Sequence, residues 1–113
     1  MFLQSNMQAW VCTEPTDMRR SFDGLCALAR NVIRQEPTSG HLFVFFGKRR
    51  DAVKVLYWDT TGFCIWAKRL EVGTFAPLDK NNESRLLLDR AGLLLLLEGV
   101  DLKQTQKRKR YSL

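Results

Sequence analysis

One histidine and three scattered cysteines leave this chain of 113 residues short of the groups that most site chemistry requires. His41 stands alone at the start of an apolar run, far along the chain from any suggestive nucleophile, and covalent catalysis needs a nucleophile beside a base. Cys12, Cys26 and Cys64 show no C-x-x-C spacing. That pattern reads as reduced thiols serving as small apolar residues, and a structural zinc needs four clustered ligands that nothing here supplies. No G-x-S-x-G and no glycine-rich phosphate loop occurs. Paired-metal chemistry needs clustered carboxylates, whereas Asp17, Asp59 and Asp89 each have a local use, in a helix first turn, a tight turn and a helix cap. The expectation is a protein that is not an enzyme, with no metal, no cofactor and no small-molecule substrate.

Long hydrophobic runs are missing too. The most apolar region, Leu86 to Leu97, is interrupted by Asp89 and Arg90 and is too short to cross a bilayer. The opening MFLQSNMQAWVC has neither a basic leader nor a sustained apolar stretch, so no signal peptide and no membrane partner are expected. The chain reads as cytoplasmic.

What is present is an ordinary globular composition, 45% hydrophobic and 27% charged, on a length that suits one domain. The net charge of +6 is unevenly placed. With Lys103, Lys107, Arg108, Lys109 and Arg110 set aside, 13 basic residues face 12 acidic ones over residues 1–102, a net charge of +1. The expected organisation is therefore a single α+β domain over residues 1–102 and a basic tail over 103–113. Such a tail serves either as a disordered solubilising end or as a contact for an anionic partner.

Hydrophobic spacing sets the elements. Ala9 to Cys12 reads as a strand or extended lead-in. Thr16 stands where a helix N-cap belongs, and Met18, Phe22, Leu25, Ala29 and Val32 then recur at helical intervals. Gly24 inside that helix marks a close contact. Three strands follow, Leu42 to Phe46, Val53 to Trp58 and Phe63 to Leu70, as an antiparallel meander. Asp59-Thr60-Thr61-Gly62 between the last two reads as a type I turn in which Gly62 takes a positive φ. Leu86 to Leu88 adds a possible fourth strand. A short leucine-rich helix runs from Asp89, its N-cap, to Gly99, its stop, and Leu93 to Leu97 cover all its sides, so it is buried all round or buries one side in a partner. The fold expected is an N-terminal amphipathic helix packed on an antiparallel three- to four-stranded meander, with the leucine helix at the end.

Period-two alternation places Lys54, Leu56 and Trp58 on one sheet face and Val53, Val55 and Tyr57 on the other. In the next strand Cys64, Trp66, Lys68 and Leu70 oppose Phe63, Ile65, Ala67 and Arg69. Large aromatics beside lysines suit stacking on bases and packing under aliphatic stems equally well. The cations say more. Arg19 and Arg20 fall in the expected first turn of a helix, where the macrodipole disfavours positive charge, and Lys48, Arg49 and Arg50 crowd one hairpin tip. With Lys54, Lys68, Arg69 and the tail run Lys107, Arg108, Lys109 and Arg110, they form a candidate phosphate-contacting surface. Trp58, Trp66, Leu94 and Leu95 are the candidates for a protein partner.

The same residues carry a family resemblance. The runs DMRRSFDGL (Asp17 to Leu25), PTSGHLFVFF (Pro37 to Phe46) and KVLYWDTTGFCIWAKRLE (Lys54 to Glu71), with GTFAP following and LLEGVD (Leu96 to Asp101) near the end, resemble the TnpB accessory proteins of the IS-sixty-six group of bacterial insertion sequences. The match covers nearly the whole chain in order. The resemblance implies an element-encoded protein that serves transposition beside a separate transposase holding the catalytic carboxylates. Its implied partners are DNA, that transposase and a further copy of itself; a protein-interaction module without DNA contact is the alternative. The chain departs from the family pattern at Val72, Thr74 and Ala76, where relatives carry basic residues and a tryptophan. Gly92 replaces a longer polar residue before the leucines, which predicts a weaker last helix.

Overall fold

A computed structural model describes residues 7–78 and 83–99. Its centre is Leu42–Phe46 (β2), LFVFF, a strand with every side chain buried. A strand apolar on both faces must be covered on both, and the rest of the chain does this. Ala9–Cys12 (β1) pairs parallel to β2, with Ala9 opposite Leu42. Ala52–Asp59 (β3) and Gly62–Arg69 (β4) continue antiparallel on the other side, and Arg85–Leu88 (β5) closes antiparallel on the outer side of β1. The strand order is β4-β3-β2-β1-β5.

The expected α+β class is therefore present, and the architecture is corrected in two respects. The sheet is mixed and five-stranded, not an antiparallel meander of three or four strands, because the first apolar run is a full strand beside the most buried one. For the same reason the first helix is not the N-terminal element. Parallel neighbours need a long crossover, and the helix supplies it between β1 and β2.

That helix, Phe22–Leu28 (α1), runs on into a wider π turn, Ala29–Ile33. It begins later than the spacing predicts. The Thr16 N–H is bound to the Phe46 carbonyl at 2.8 Å, which keeps Thr16 at the sheet, and Asp17 to Arg20 form a turn closed by Arg20 N–H to the Asp17 carbonyl at 3.1 Å. Arg19 and Arg20 thus precede the helix. Ser21 is its N-cap, in extended conformation, and Thr16 is not. The buried positions are Leu25, Cys26, Ala29 and Ile33. Phe22, the first residue of the helix, is 46% exposed, and Val32 only flanks the cluster while Ile33, four positions after Ala29, is fully buried. Arg34, at φ 62, ends the helix.

The helix lies on the face bearing Cys12, Phe43, Phe45 and Leu56, with Phe63 and Ile65 alongside. The opposite face carries Val11, Val44, Phe46, Val53 and Val55 and is covered by Phe75 and by the helix Arg90–Glu98 (α2) through Leu93, Leu96 and Leu97. The face assignments read from alternation in β3 and β4 hold, with Leu56 and Ile65 opposite one another on the α1 side. Asp89 caps α2 as expected, its carboxylate accepting from the Gly92 N–H at 2.8 Å, and Gly99 follows at φ 85. The expected end of the folded body at residue 102 and the basic tail lie outside the described residues.

The β3–β4 turn departs from expectation. Asp59 pairs with Gly62, leaving a two-residue loop. The positive φ falls on Thr60, at 45, and Gly62 has none. Two-residue hairpins favour positive φ at the first loop position because it matches strand twist, so the type I assignment is overturned.

Candidate nucleic-acid interface

Four separate segments bring the candidate cations to one end of the sheet. The 16–20 turn is bound to the end of β2 through Thr16, and Gly47 presses on it so closely that a Cβ there would lie 2.8 Å from Met18 Cγ. Glycine is what lets the β2–β3 tip close on the turn. Ala52, the first residue of β3, pairs with Arg69, the last of β4. Met18, Lys54, Lys68 and Arg69 then line one shallow hollow of about 280 Å³. Arg19, Arg20, Lys48, Arg49, Arg50, Lys54, Lys68 and Arg69 all belong to this end. Asp17, Asp51 and Glu71 are the acids beside them in sequence.

The cations are not equivalent. Arg19 is tied to Asp17, which accepts from its backbone N–H at 2.9 Å and from Nη2 at 2.7 Å. The arginine's hydrogen bonds hold the Asp17 carboxyl well below the usual carboxylate range. Arg50 turns inward. Its guanidinium lies 4.9 Å from the centre of the Phe46 ring and donates to the Phe75 and Ala76 carbonyls, so its charge fastens the 74–76 loop to the hairpin. Burial lowers its pKa from the ordinary arginine value. Lys68 donates from Nζ to the Leu97 carbonyl at 3.0 Å, where a cation offsets the negative end of α2. Lys54 donates to the Arg20 carbonyl at 2.7 Å, and the Arg20 stem lies over Gly24, where an added Cβ would be 3.2 Å away. That is the close contact the glycine marks. Lys48, Arg49 and Arg69 are exposed and make no side-chain hydrogen bond or ion pair among the described residues.

The aromatic candidates separate. Trp58 is on the α1 face, half-buried, its ring 4.9 Å from that of Phe63 and nearly perpendicular to it. Trp66 is on the α2 face, half-buried against the core there. They form no common stacking platform. Leu94 and Leu95 do face solvent, at 43% and 71% exposure, and Leu94 joins Trp66, Lys68, Leu97 and Glu98 around a second shallow hollow of about 300 Å³. Lys107 to Arg110 lie outside the described residues.

Arg85 carries no sequence signal and has a clear structural use: it lies 4.7 Å over the Trp10 ring and donates to the Ile33 carbonyl at 2.9 Å, tying β5 to the end of the π turn. Burial pushes the Cys12 and Cys26 thiols up. Among the described residues no three or more His, Cys, Asp or Glu side chains group as a metal site would, and no helix is long and apolar enough to cross a membrane.

This is a small α+β protein that offers a charged sheet end and shallow hollows to its surroundings. The family model for IS66 Orf2-like proteins matches residues 7–107, and the chain belongs to that family of insertion-sequence proteins. Two relatives from Sinorhizobium fredii, both described as uncharacterized proteins, are similar over 102 residues. One, y4hO, is 33% identical over 90% of this chain and 88% of its own length; the other, y4jC, is 31% identical over 90% and 86%. No solved structure matches the chain at a significant level.

Proposed function

We propose that this chain is a non-catalytic accessory protein for insertion-sequence transposition that contacts DNA phosphates through the cationic end of its sheet. The observation that carries the reading is the placement of Lys48 and Arg49. They sit exposed and unengaged on a hairpin tip that Gly47, Thr16 and Arg50 hold in place. A tip with no partner for its cations normally disperses like charges; here the surrounding contacts keep them together beside Arg20, Lys54 and Arg69. Phosphate contacts of this kind position a protein on a duplex without reading its bases.

Titration of labelled duplexes, one from the element's end and one of random sequence, at several salt concentrations tests this. Binding should weaken linearly in log–log form as salt rises. Changing Lys48 and Arg49 together to alanine should reduce the slope by about one for each phosphate that is no longer neutralised. No binding at low salt, or an unchanged slope in a folded double variant, removes the reading.

A second reading rests on Leu94 and Leu95, exposed beside the Trp66 hollow. It assigns the α2 surface to the element's transposase, and a protein that binds transposase but not DNA would favour it.

A further inference from the structure

The outer edge of β4 is the longest open strand edge among the described residues. β4 runs eight residues, Gly62–Arg69, paired one-to-one with β3 without a bulge, and nothing described lies on its other side. Natural sheets blunt such edges with short strands, bulges, proline or central charge. β5, at the other edge, is four residues long. β4 uses none of these devices along Phe63 to Ala67, and its only charges, Lys68 and Arg69, stand at one end.

The hydrogen-bond parity of the edge can be read from one bond. Leu70 N–H donates to the Asp51 carbonyl at 2.7 Å. In an antiparallel ladder bonded pairs alternate with unbonded ones, so Lys68, Trp66, Cys64 and Gly62 spend their backbone groups on β3. Phe63, Ile65, Ala67 and Arg69 therefore direct their N–H and C=O groups outward.

We propose that a second copy of this chain pairs there, β4 antiparallel to β4 about a twofold axis at Trp66. Among the registers that keep bonded positions opposite one another, this one lets all four outward-facing residues find partners within β4: Phe63 with Arg69 of the other copy, and Ile65 with Ala67. The side chains suit it. Isoleucine meets alanine, large against small, and each Arg69 guanidinium comes to a Phe63 ring, a favourable cation–aromatic pair. Charge selects the direction. Antiparallel pairing sends the Lys68–Arg69 end of each copy to the turn end of the other, which carries Asp59 and no cation, whereas parallel pairing would set the two cationic ends together. The hollow between half-buried Trp66 and exposed Leu94 adjoins this edge and is extended across the axis. Arg69 then serves the pair, while Lys48 and Arg49, on the β2–β3 tip, stay open.

Sedimentation equilibrium of the full chain without DNA tests the proposal together with two variants. The wild type should be a dimer. Ala67→Pro removes an N–H that the monomer does not use and should give a folded monomer. Lys68→Cys puts a thiol opposite Cys64 of the other copy at an unbonded pair, where Cα atoms are about 4.5 Å apart, within disulfide reach. Within one copy residues 64 and 68 are four strand positions apart, about 13 Å, too far to bridge. Mild oxidation should therefore give a covalent dimer of Lys68→Cys that Cys64→Ser abolishes. A monomeric wild type overturns the proposal, as does a Lys68→Cys protein that stays uncrosslinked. If Ala67→Pro does not fold, the crosslink decides.

Discussion

Arg50 stands over Phe46, its guanidinium 4.9 Å from the ring centre, while its nitrogens hold the carbonyls of Phe75 and Ala76. Phe75 in turn packs on Phe46 at 5.2 Å. One cation from the hairpin tip thus fastens the 74–76 loop over a buried aromatic pair. Charge-assisted hydrogen bonds and a cation–aromatic contact contribute about 1.5–3 and 0.5–1 kcal/mol. Arg50→Ala should therefore lower unfolding free energy by about 2 kcal/mol, read from urea denaturation. Arg50→Lys should recover only part, since an ammonium lacks the planar fork. A midpoint unchanged by Arg50→Ala would remove the fastening role.

The strain in the β3–β4 turn sits on a branched residue. Thr60 holds φ 45, and a β-branched side chain there costs about 1 kcal/mol or more. Thr60→Asn or Thr60→Gly should raise the melting temperature, by roughly 1 kcal/mol of stability. Gly62 lacks a positive φ, and a Cβ there would meet nothing within 4 Å. Gly62→Val should consequently stay within about 0.5 kcal/mol of wild type. A large loss at Gly62 with no gain at Thr60 would restore the turn drawn from sequence.

The leucines of α2 should divide sharply. Leu93 is fully buried, so Leu93→Ala should cost about 2–5 kcal/mol. Leu95, 71% exposed, should cost under about 0.5 kcal/mol when changed to alanine. Thermal melts of the two variants check this, and similar losses at both positions would mean that Leu95 is covered in solution.

Asp17 gives a pH expectation. Its carboxyl pKa is depressed first by the hydrogen bonds from Arg19. A depressed carboxyl contributes stability that is present above its unfolded value, about 3.9, and is lost as pH falls through the folded one. Stability should therefore be insensitive to this pair from neutral pH down to about 5. The Asp17 carboxyl carbon shift should stay flat as pH falls through the ordinary aspartate range, and titration near the ordinary value would show that the pair does not persist in solution.

Strand and face were legible where a single physical rule decided them. Alternation separated Leu56 from Val55 and Ile65 from Trp66, because a strand's period of two admits no other division; which face of one strand meets which of the next came from the register. The cap and stop of α2 were legible because Asp89 and Gly99 act through local backbone geometry. The start of α1 was not. Thr16 and Asp17 resemble a cap and first turn, and a hydrogen bond to Phe46, thirty positions on, decides otherwise. The parallel partner of β1 was hidden for the same reason: four apolar residues do not announce their neighbour. At the candidate site the gathering of cations could be anticipated from hairpin and turn residues, but not their division. Arg49 and Arg50 are adjacent and chemically identical, and the carbonyls that hold Arg50 inward belong to Phe75 and Ala76, remote in sequence.

β1 lies between β2 and β5, with Ala9 opposite both Leu42 and Leu88. Made first, it is the strand that waits longest. Its parallel neighbour needs the whole α1 crossover, and its other neighbour is synthesised almost at the end of the described chain. Until then a short apolar segment, Ala9 to Cys12, has both edges unsatisfied while β2, β3 and β4 can already pair through local hairpins. Assembly should therefore run from the β2–β4 hairpins outward, with β1 and β5 docking late and together, because the entropy of closing long loops must be met before those pairings stabilise anything. A chain shortened before Arg85 would keep its hairpins and leave β1 with an open edge.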